Sequence, residues 1–172
     1  ASGAYDIIHF ACHARPGALS LADGWLDADE IKSVLRGRPF VFLNGCSSGR
    51  SMAKEHEYQH EPLPFAGQQT YNLAEAFLTG GASAFVGTAW PVSDNEIRWL
   101  ALEFYHCLLN GHSFASALHM ARTRSRSRNT STTSWSAPVL YSDLHHRLPY
   151  LSLQRQPGTL LTARFEKGTQ LA

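Results

Sequence analysis

The chain has 172 residues, 44% of them hydrophobic and 17% charged, which is enough for one globular domain with a substantial core. Its 15 basic and 14 acidic side chains argue against a general polyanion-binding protein. No run approaches the roughly eighteen apolar residues of a membrane span, the N-terminus lacks a signal-peptide pattern, and three cysteines do not make a disulfide framework. We therefore expect a cytoplasmic protein that makes no membrane contact.

The first elements predict two parallel strands. Residues 5–11 form an apolar, strand-like run, and an Asp27–Glu30 capping pair then predicts a short helix. Four large apolar residues from Phe40 onward predict a fully buried strand. A strand, helix and strand in this order form a crossover unit, so both strands should end at the same edge of a sheet. Because the chain lacks an initiator Met and enters its first strand almost at once, we expect it to be a piece of a longer protein.

A histidine and a cysteine follow these two strand ends. Neighbouring strands lie about 4.8 Å apart, so His13 and Cys46 are expected to face each other across that edge. An imidazole that takes a thiol proton and a thiolate that attacks a carbonyl are the minimal apparatus of nucleophilic catalysis. Each residue alone has a simpler interpretation: a free cysteine is usually a small buried apolar side chain, and a loop histidine usually hydrogen-bonds to backbone.

The later elements continue an α/β pattern. Residues 70–78 predict a helix, 82–89 a third parallel strand, and 96–110 a helix whose apolar face includes Cys107. Ser113 is expected to cap a further helix.

Two further motifs are given weaker interpretations. His56-Glu57-Tyr58-Gln59-His60 fits the H-E-x-x-H pattern of zinc peptidases, but nearby prolines shorten any helix and no apolar face surrounds it. Coincidence is the favoured explanation, a zinc peptidase is a minor alternative, and we expect no metal or cofactor. The basic run 122–128 suits a solvated helix end, so nucleic acid is expected as a partner only indirectly, through an attached module.

Three blocks of the sequence together resemble the CHAT family of caspase-like cysteine peptidases, which are related to separase and caspases. The blocks are residues 9–13, 42–49 and 81–94. The resemblance implies an α/β fold, a three-layer caspase-like sandwich with a mostly parallel sheet and helices on both faces, whose N-terminal strands are missing from this chain. It implies that residues 1–143 are the C-terminal catalytic portion of a CHAT domain and leaves 144–172 as an unassigned extension. The segment 135–143 resembles the last strand of the family, which would be a fourth parallel strand of this chain.

The resemblance also implies roles for particular residues. Cys46 corresponds to the nucleophile and His13 to the catalytic histidine, while His9 and Cys12 match neither role and are interpreted as structural. The backbone amides of Ala14 and Cys46 would form the oxyanion hole, although caspase-like enzymes usually carry glycine at the position of Ala14. The loop after the third strand would border the substrate pocket.

Within that loop, Trp90 by itself would be interpreted as a core residue. The resemblance implies instead that Trp90 is a wall of the substrate pocket and Asp94 a charge near its floor. Asp94 has a competing role in capping the next helix together with Ser93, and capping is favoured. If Asp94 faces the pocket, a basic residue is expected before the cleaved bond, because a buried carboxylate needs a cation.

The function that follows is that of a hydrolase, a thiol protease that cleaves a protein substrate. Members of the family are commonly controlled by an attached sensor, so we expect a regulatory module or partner protein, for example tetratricopeptide repeats, and the resemblance suggests bacterial defence. The alternative is a catalytically inactive CHAT-like domain used for protein interaction.

Overall fold

A computed structural model describes residues 5–15, 17–44 and 66–148, with the backbone alone at residues 15 and 66–72. The strands are β1 (Ile7–Ala11), β2 (Ala14–Arg15), β3 (Ala18–Leu21), β4 (Gly24–Asp27), β5 (Phe40–Asn44), β6 (Ala84–Thr88) and β7 (Pro138–Tyr141). The helices are α1 (Ala28–Val34), α2 (Ala66–Thr79), α3 (Asp94–Leu109) and α4 (Phe114–Arg128), and a 3₁₀ turn (Ser134–Ser136) precedes β7. None of the helices in this part of the chain is long and apolar enough to cross a membrane.

The main sheet has the order β1-β5-β6-β7. Strands β1, β5 and β6 are parallel, with Ile7 paired to Phe40 and Phe40 paired to Ala84. The predicted crossover from β1 through α1 to β5 is therefore confirmed. The chain has a mixed α/β fold with a mostly parallel sheet, as in a caspase-like sandwich.

The prediction of a fourth parallel strand was wrong, because β7 is antiparallel to β6. Two helices, α3 and α4, separate β6 from β7, and they pack as an antiparallel hairpin: Arg124 on α4 pairs with Glu103, and Asn129 just beyond α4 bonds to Glu96 near the start of α3. A single crossover helix returns the chain to the amino edge of the sheet. A second helix brings it back to the carboxyl edge, so the next strand must run in the opposite direction.

Alternate residues of β5 face two different helical layers, as expected for a strand that is buried on both sides. Phe40 and Phe42 pack into a cluster with residues of α3 and α4, whereas Val41 and Leu43 pack with residues of α1 and α2. The predicted apolar face of α3 is confirmed, since all of its members are buried: Ile97, Leu100, Ala101, Phe104, Cys107 and Leu108. The sheet is therefore the middle layer of three.

The predicted caps at the helix starts are also confirmed. Asp27 caps α1 by accepting bonds from the backbone N–H groups of Asp29 and Glu30, and the Glu30 carboxylate accepts from the Asp27 N–H to complete a capping box. Ser93 caps α3 and Ser113 caps α4. These bonds satisfy N–H groups that have no partner within the helix.

A small antiparallel sheet, β2-β3-β4, lies between β1 and α1. Strands β3 and β4 form a hairpin in which Leu21 pairs with Gly24 across a two-residue turn. The two turn residues are Ala22 and Asp23, and Gly24 is the first residue of β4. An Asp-Gly dipeptide is a sequence signal for a hairpin. The glycine has a φ of 147°, a conformation that other residues rarely adopt.

Replacing Phe104 by alanine is expected to lower the free energy of unfolding by about 3 to 5 kcal/mol, because a large buried ring is lost and a cavity is left. The Phe104 ring lies 5.6 Å from the Phe40 ring, 5.7 Å from Phe42 and 6.3 Å from Phe114. Chemical denaturation measures the change. Leu102→Ala is the matched control, since Leu102 on the same helix is 50% exposed, and a loss of similar size in both variants would contradict this description of the core.

Candidate catalytic site at the carboxyl edge of the sheet

Three parallel strands end in one row at the carboxyl edge of the sheet. Ala11 at the end of β1 pairs with Asn44 at the end of β5. Phe42 pairs with Val86, and the same register carried two residues further brings Thr88, the last residue of β6, level with Asn44. Ala11, Asn44 and Thr88 therefore occupy equivalent positions on three adjacent strands.

The residues predicted for the site share one offset from this row. His13, Cys46 and Trp90 each follow the strand-end residue of their own strand by two positions. Cys46 itself lies outside the described residues. The structure thus confirms that the strands leading to His13 and Cys46 are adjacent, parallel and in register.

His13 lies between β1 and β2 and is exposed. Its carbonyl oxygen accepts a hydrogen bond of 2.8 Å from the Ser20 N–H on β3, and the preceding residue, Cys12, donates from its N–H to the Asn44 carbonyl at 3.3 Å. The backbone on either side of His13 is therefore held both to the main sheet and to the small sheet. This anchoring fixes the position of the His13 backbone relative to the end of β5.

The same pairing determines where the Ala14 amide points. In an antiparallel ladder, hydrogen-bonded pairs alternate with non-hydrogen-bonded pairs. Because the Ser20 N–H bonds to the His13 carbonyl, the neighbouring Ala14–Leu19 pair belongs to the non-bonded type. The Ala14 N–H therefore points away from β3. Sequence reasoning missed this support, which the Asp23-Gly24 hairpin signal could have revealed.

Trp90 and Asp94 both lie beyond the end of β6. Trp90 is 39% exposed. Asp94 is exposed and is the first residue of α3, while the cap itself is the Ser93 side chain, whose oxygen accepts from the Glu96 N–H at 3.3 Å. The capping role weighed for Asp94 thus belongs to Ser93. Asp94 places a negative charge in the first turn of α3, where it interacts favourably with the positive end of the helix dipole.

His9 lies on β1, four residues before His13, in a different environment. Its Nδ1 is 2.9 Å from the Tyr105 hydroxyl on α3, and its ring stacks on Phe42 at a centroid distance of 5.0 Å. Burial lowers the pKa of His9 and raises the pKa of Tyr105. These contacts agree with the structural interpretation of His9, which links β1 to the α3 layer.

Two of the three cysteines lie in the described part of the chain, and both are less acidic than a free thiol. Cys107 is buried in the core against α4, and Cys12 is half-buried at the end of β1. Burial raises the pKa of both thiols. Since the thiolate is the nucleophilic form, neither environment favours reactivity.

No metal site is apparent among residues 5–15, 17–44 and 66–148, where no group of three or more His, Cys, Asp or Glu side chains could hold an ion. The minor zinc alternative rests on His56-Glu57-Tyr58-Gln59-His60. That motif lies outside the described residues.

The mostly parallel sheet between two helical layers, with the predicted site residues following its strands at the carboxyl edge, is consistent with a caspase-like sandwich. The CHAT domain family model matches residues 1–143, and the chain belongs to this family. CHAT domains form a caspase-like, peptidase-related family. Comparison of the sequence with curated proteins gives no match.

The buried environment of His9 predicts a pH dependence of stability. A histidine whose pKa is lowered by folding binds a proton more readily in the unfolded chain, so stability rises with pH. His9 should therefore contribute full stability above its unfolded pKa of about 6.5 and lose it as the pH falls below that value. We expect the free energy of unfolding to fall less between about pH 7.5 and 5.5 in His9→Phe than in the wild type. Parallel pH profiles for the two proteins would contradict this.

Proposed function

We propose that this chain is the catalytic part of a cysteine endopeptidase, with Cys46 as nucleophile and His13 as general base. The observation that carries the proposal is the common offset of the two residues from paired strand ends, Asn44 and Ala11. Adjacent parallel strands lie about 4.8 Å apart, so equal offsets bring a thiol and an imidazole within reach of one proton. Membership of a peptidase-related family supports the same assignment.

In this mechanism His13 takes the proton from the Cys46 thiol. The thiolate attacks the carbonyl carbon of the scissile peptide bond and forms a tetrahedral intermediate, and the imidazolium then gives its proton to the leaving amine. Water hydrolyses the resulting thioester by the reverse sequence, again with His13 as base. The exposed position of His13 suits this role, because the imidazole must reach both the thiol and the substrate.

The oxyanion of the intermediate would be held by the backbone N–H groups of Ala14 and Cys46. For Ala14 this is supported by the non-bonded Ala14–Leu19 pair, which leaves the amide directed away from the hairpin. Alanine retains the N–H that glycine provides in related enzymes, so the substitution does not remove the donor. Two amide donors aimed at a developing negative charge stabilise the transition state by several kcal/mol, about 3 for each donor.

Trp90 is proposed to form a wall of the pocket for the substrate side chain, since it follows β6 by the same offset and is partly exposed. Asp94 is a weaker candidate for the floor of the pocket, because an exposed carboxylate is largely screened by water. We propose a protein substrate, control by a sensor module or partner protein such as tetratricopeptide repeats, and a cytoplasmic setting, with bacterial defence as the context.

Alkylation by iodoacetamide tests the dyad directly. If His13 stabilises the Cys46 thiolate, then at about pH 6 Cys46 should react at least tenfold faster than Cys12 and Cys107, whose pKa values are raised by burial. His13→Ala should remove this fast reaction. Mass spectrometry of the digested protein measures each site separately. His106→Ala is the matched control, because it removes an exposed histidine near the end of α3 and should leave the rate at Cys46 unchanged.

Equal reaction rates at all three thiols would contradict the peptidase proposal and favour an inactive CHAT-like interaction domain. The zinc alternative makes the opposite prediction for activity. A zinc peptidase would lose activity with a chelator and keep it in Cys46→Ala, whereas a cysteine peptidase would respond in the reverse way.

A further inference from the structure

A pocket distinct from the candidate catalytic site lies along the second half of α4. It has a volume of about 470 Å³, within the range of small-molecule sites. We call it the α4 pocket; its lining includes His119, Arg122, Thr123, Arg126, Thr130 and Trp135. The lining residues of α4 recur at intervals of three and four, so one face of this helix forms one wall of the pocket. The segment between α4 and β7 forms the opposite wall.

The four arginines of the basic run divide into two pairs. Arg124 pairs with Glu103 and Arg128 lies 3.9 Å above the ring of Trp99, so both are directed toward α3. Arg122 and Arg126 line the α4 pocket instead. Within the described residues, α4 makes one ion pair, that of Arg124. No carboxylate of this part of the chain therefore neutralises Arg122 or Arg126 in the pocket.

The two cationic side chains that line the pocket, Arg122 and Arg126, are held in different ways. The Arg122 Nη2 donates to the carbonyls of Ser136 and Pro138, but its Nε is buried and has no partner in the described part of the chain. The guanidinium of Arg126 lies 5.1 Å from the centre of the Trp135 ring. Guanidinium groups bind phosphate oxygens through several N–H groups at once.

The hydroxyls of the helix wall are already engaged. Thr123 donates to the His119 carbonyl at 2.9 Å and Ser127 donates to the Thr123 carbonyl at 3.0 Å. The positive end of the pocket is therefore set by the two guanidinium groups. Beside them lies the Trp135 indole, which has the Arg126 guanidinium over one face of its ring. An aromatic ring of a ligand would therefore stack on the other face.

We propose that the α4 pocket binds a nucleoside phosphate, with the phosphate at Arg122 and Arg126 and the base stacked beside Trp135. The volume suits a mononucleotide, and the charge and the aromatic ring match its two parts. A nucleic-acid strand fits the pocket less well, because polymers are held by many phosphate contacts. Here Arg124 and Arg128 are engaged with α3, which leaves only two arginines for the ligand.

The experiment measures binding of AMP and ATP to the full chain by isothermal titration calorimetry. Arg126→Gln should weaken binding by about tenfold or more, because charge-assisted hydrogen bonds to phosphate are lost. Arg128→Gln is a closely matched control: it removes the same charge from the same helix and also breaks an arginine–tryptophan contact, but Arg128 does not line the pocket. It should change the affinity by less than about twofold.

Ribose 5-phosphate tests the contribution of the base and should bind at least about tenfold more weakly than AMP, because it cannot stack. The proposal is overturned if neither AMP nor ATP binds at millimolar concentration, or if ribose 5-phosphate binds as tightly as AMP. It is also overturned if Arg126→Gln and Arg128→Gln weaken binding equally, which would indicate diffuse attraction by the basic helix. Both substitutions are at exposed positions, so circular dichroism should confirm unchanged folding.

Discussion

The parallel register of β1, β5 and β6 is the constraint on which the rest of the structure depends. It is fixed by β5, whose side chains alternate between two cores: Phe40 and Phe42 enter one, and Val41 and Leu43 enter the other. A slip of one residue would exchange the two sets and place large rings where smaller side chains pack. The packing of the core therefore also sets the row of strand ends from which the candidate site extends.

The α3–α4 hairpin has two consequences for the same edge of the sheet. It makes β7 antiparallel, and it brings the chain back beside the loop that follows β6, where the Ala89 N–H donates to the Ala137 carbonyl at 2.8 Å. Glu96, near the start of α3, also accepts from Asn129 at 2.9 Å and from Thr132 at 2.7 Å. The wall of the α4 pocket is thus tied to the segment that carries Trp90.

The sequence predicted the parts of this fold that depend on local pattern. A continuous apolar run located β5, hydrophobic periodicity located α3, and the capping signals at Asp27 and Ser113 located helix starts. The direction of β7 could not be obtained in this way, because it depends on how α3 and α4 pack, which is a tertiary property. The hairpin β3-β4 was missed for another reason, since its strands are only four residues each and its turn signal was not weighed.

For the candidate site, the sequence supplied the residue types, and the crossover rule predicted that the strands before His13 and Cys46 end side by side, which the register confirms. Burial then distinguishes two residues of the same type. His9 lies on β1 and His13 lies just beyond its end. The His9 ring is hydrogen-bonded to the Tyr105 hydroxyl and stacked on Phe42, whereas His13 is exposed at the edge of the sheet. Acid–base catalysis needs an imidazole that can reach both the nucleophile and the substrate. A histidine within the sheet is held by its neighbours, so only the position just beyond the strand end can carry that chemistry.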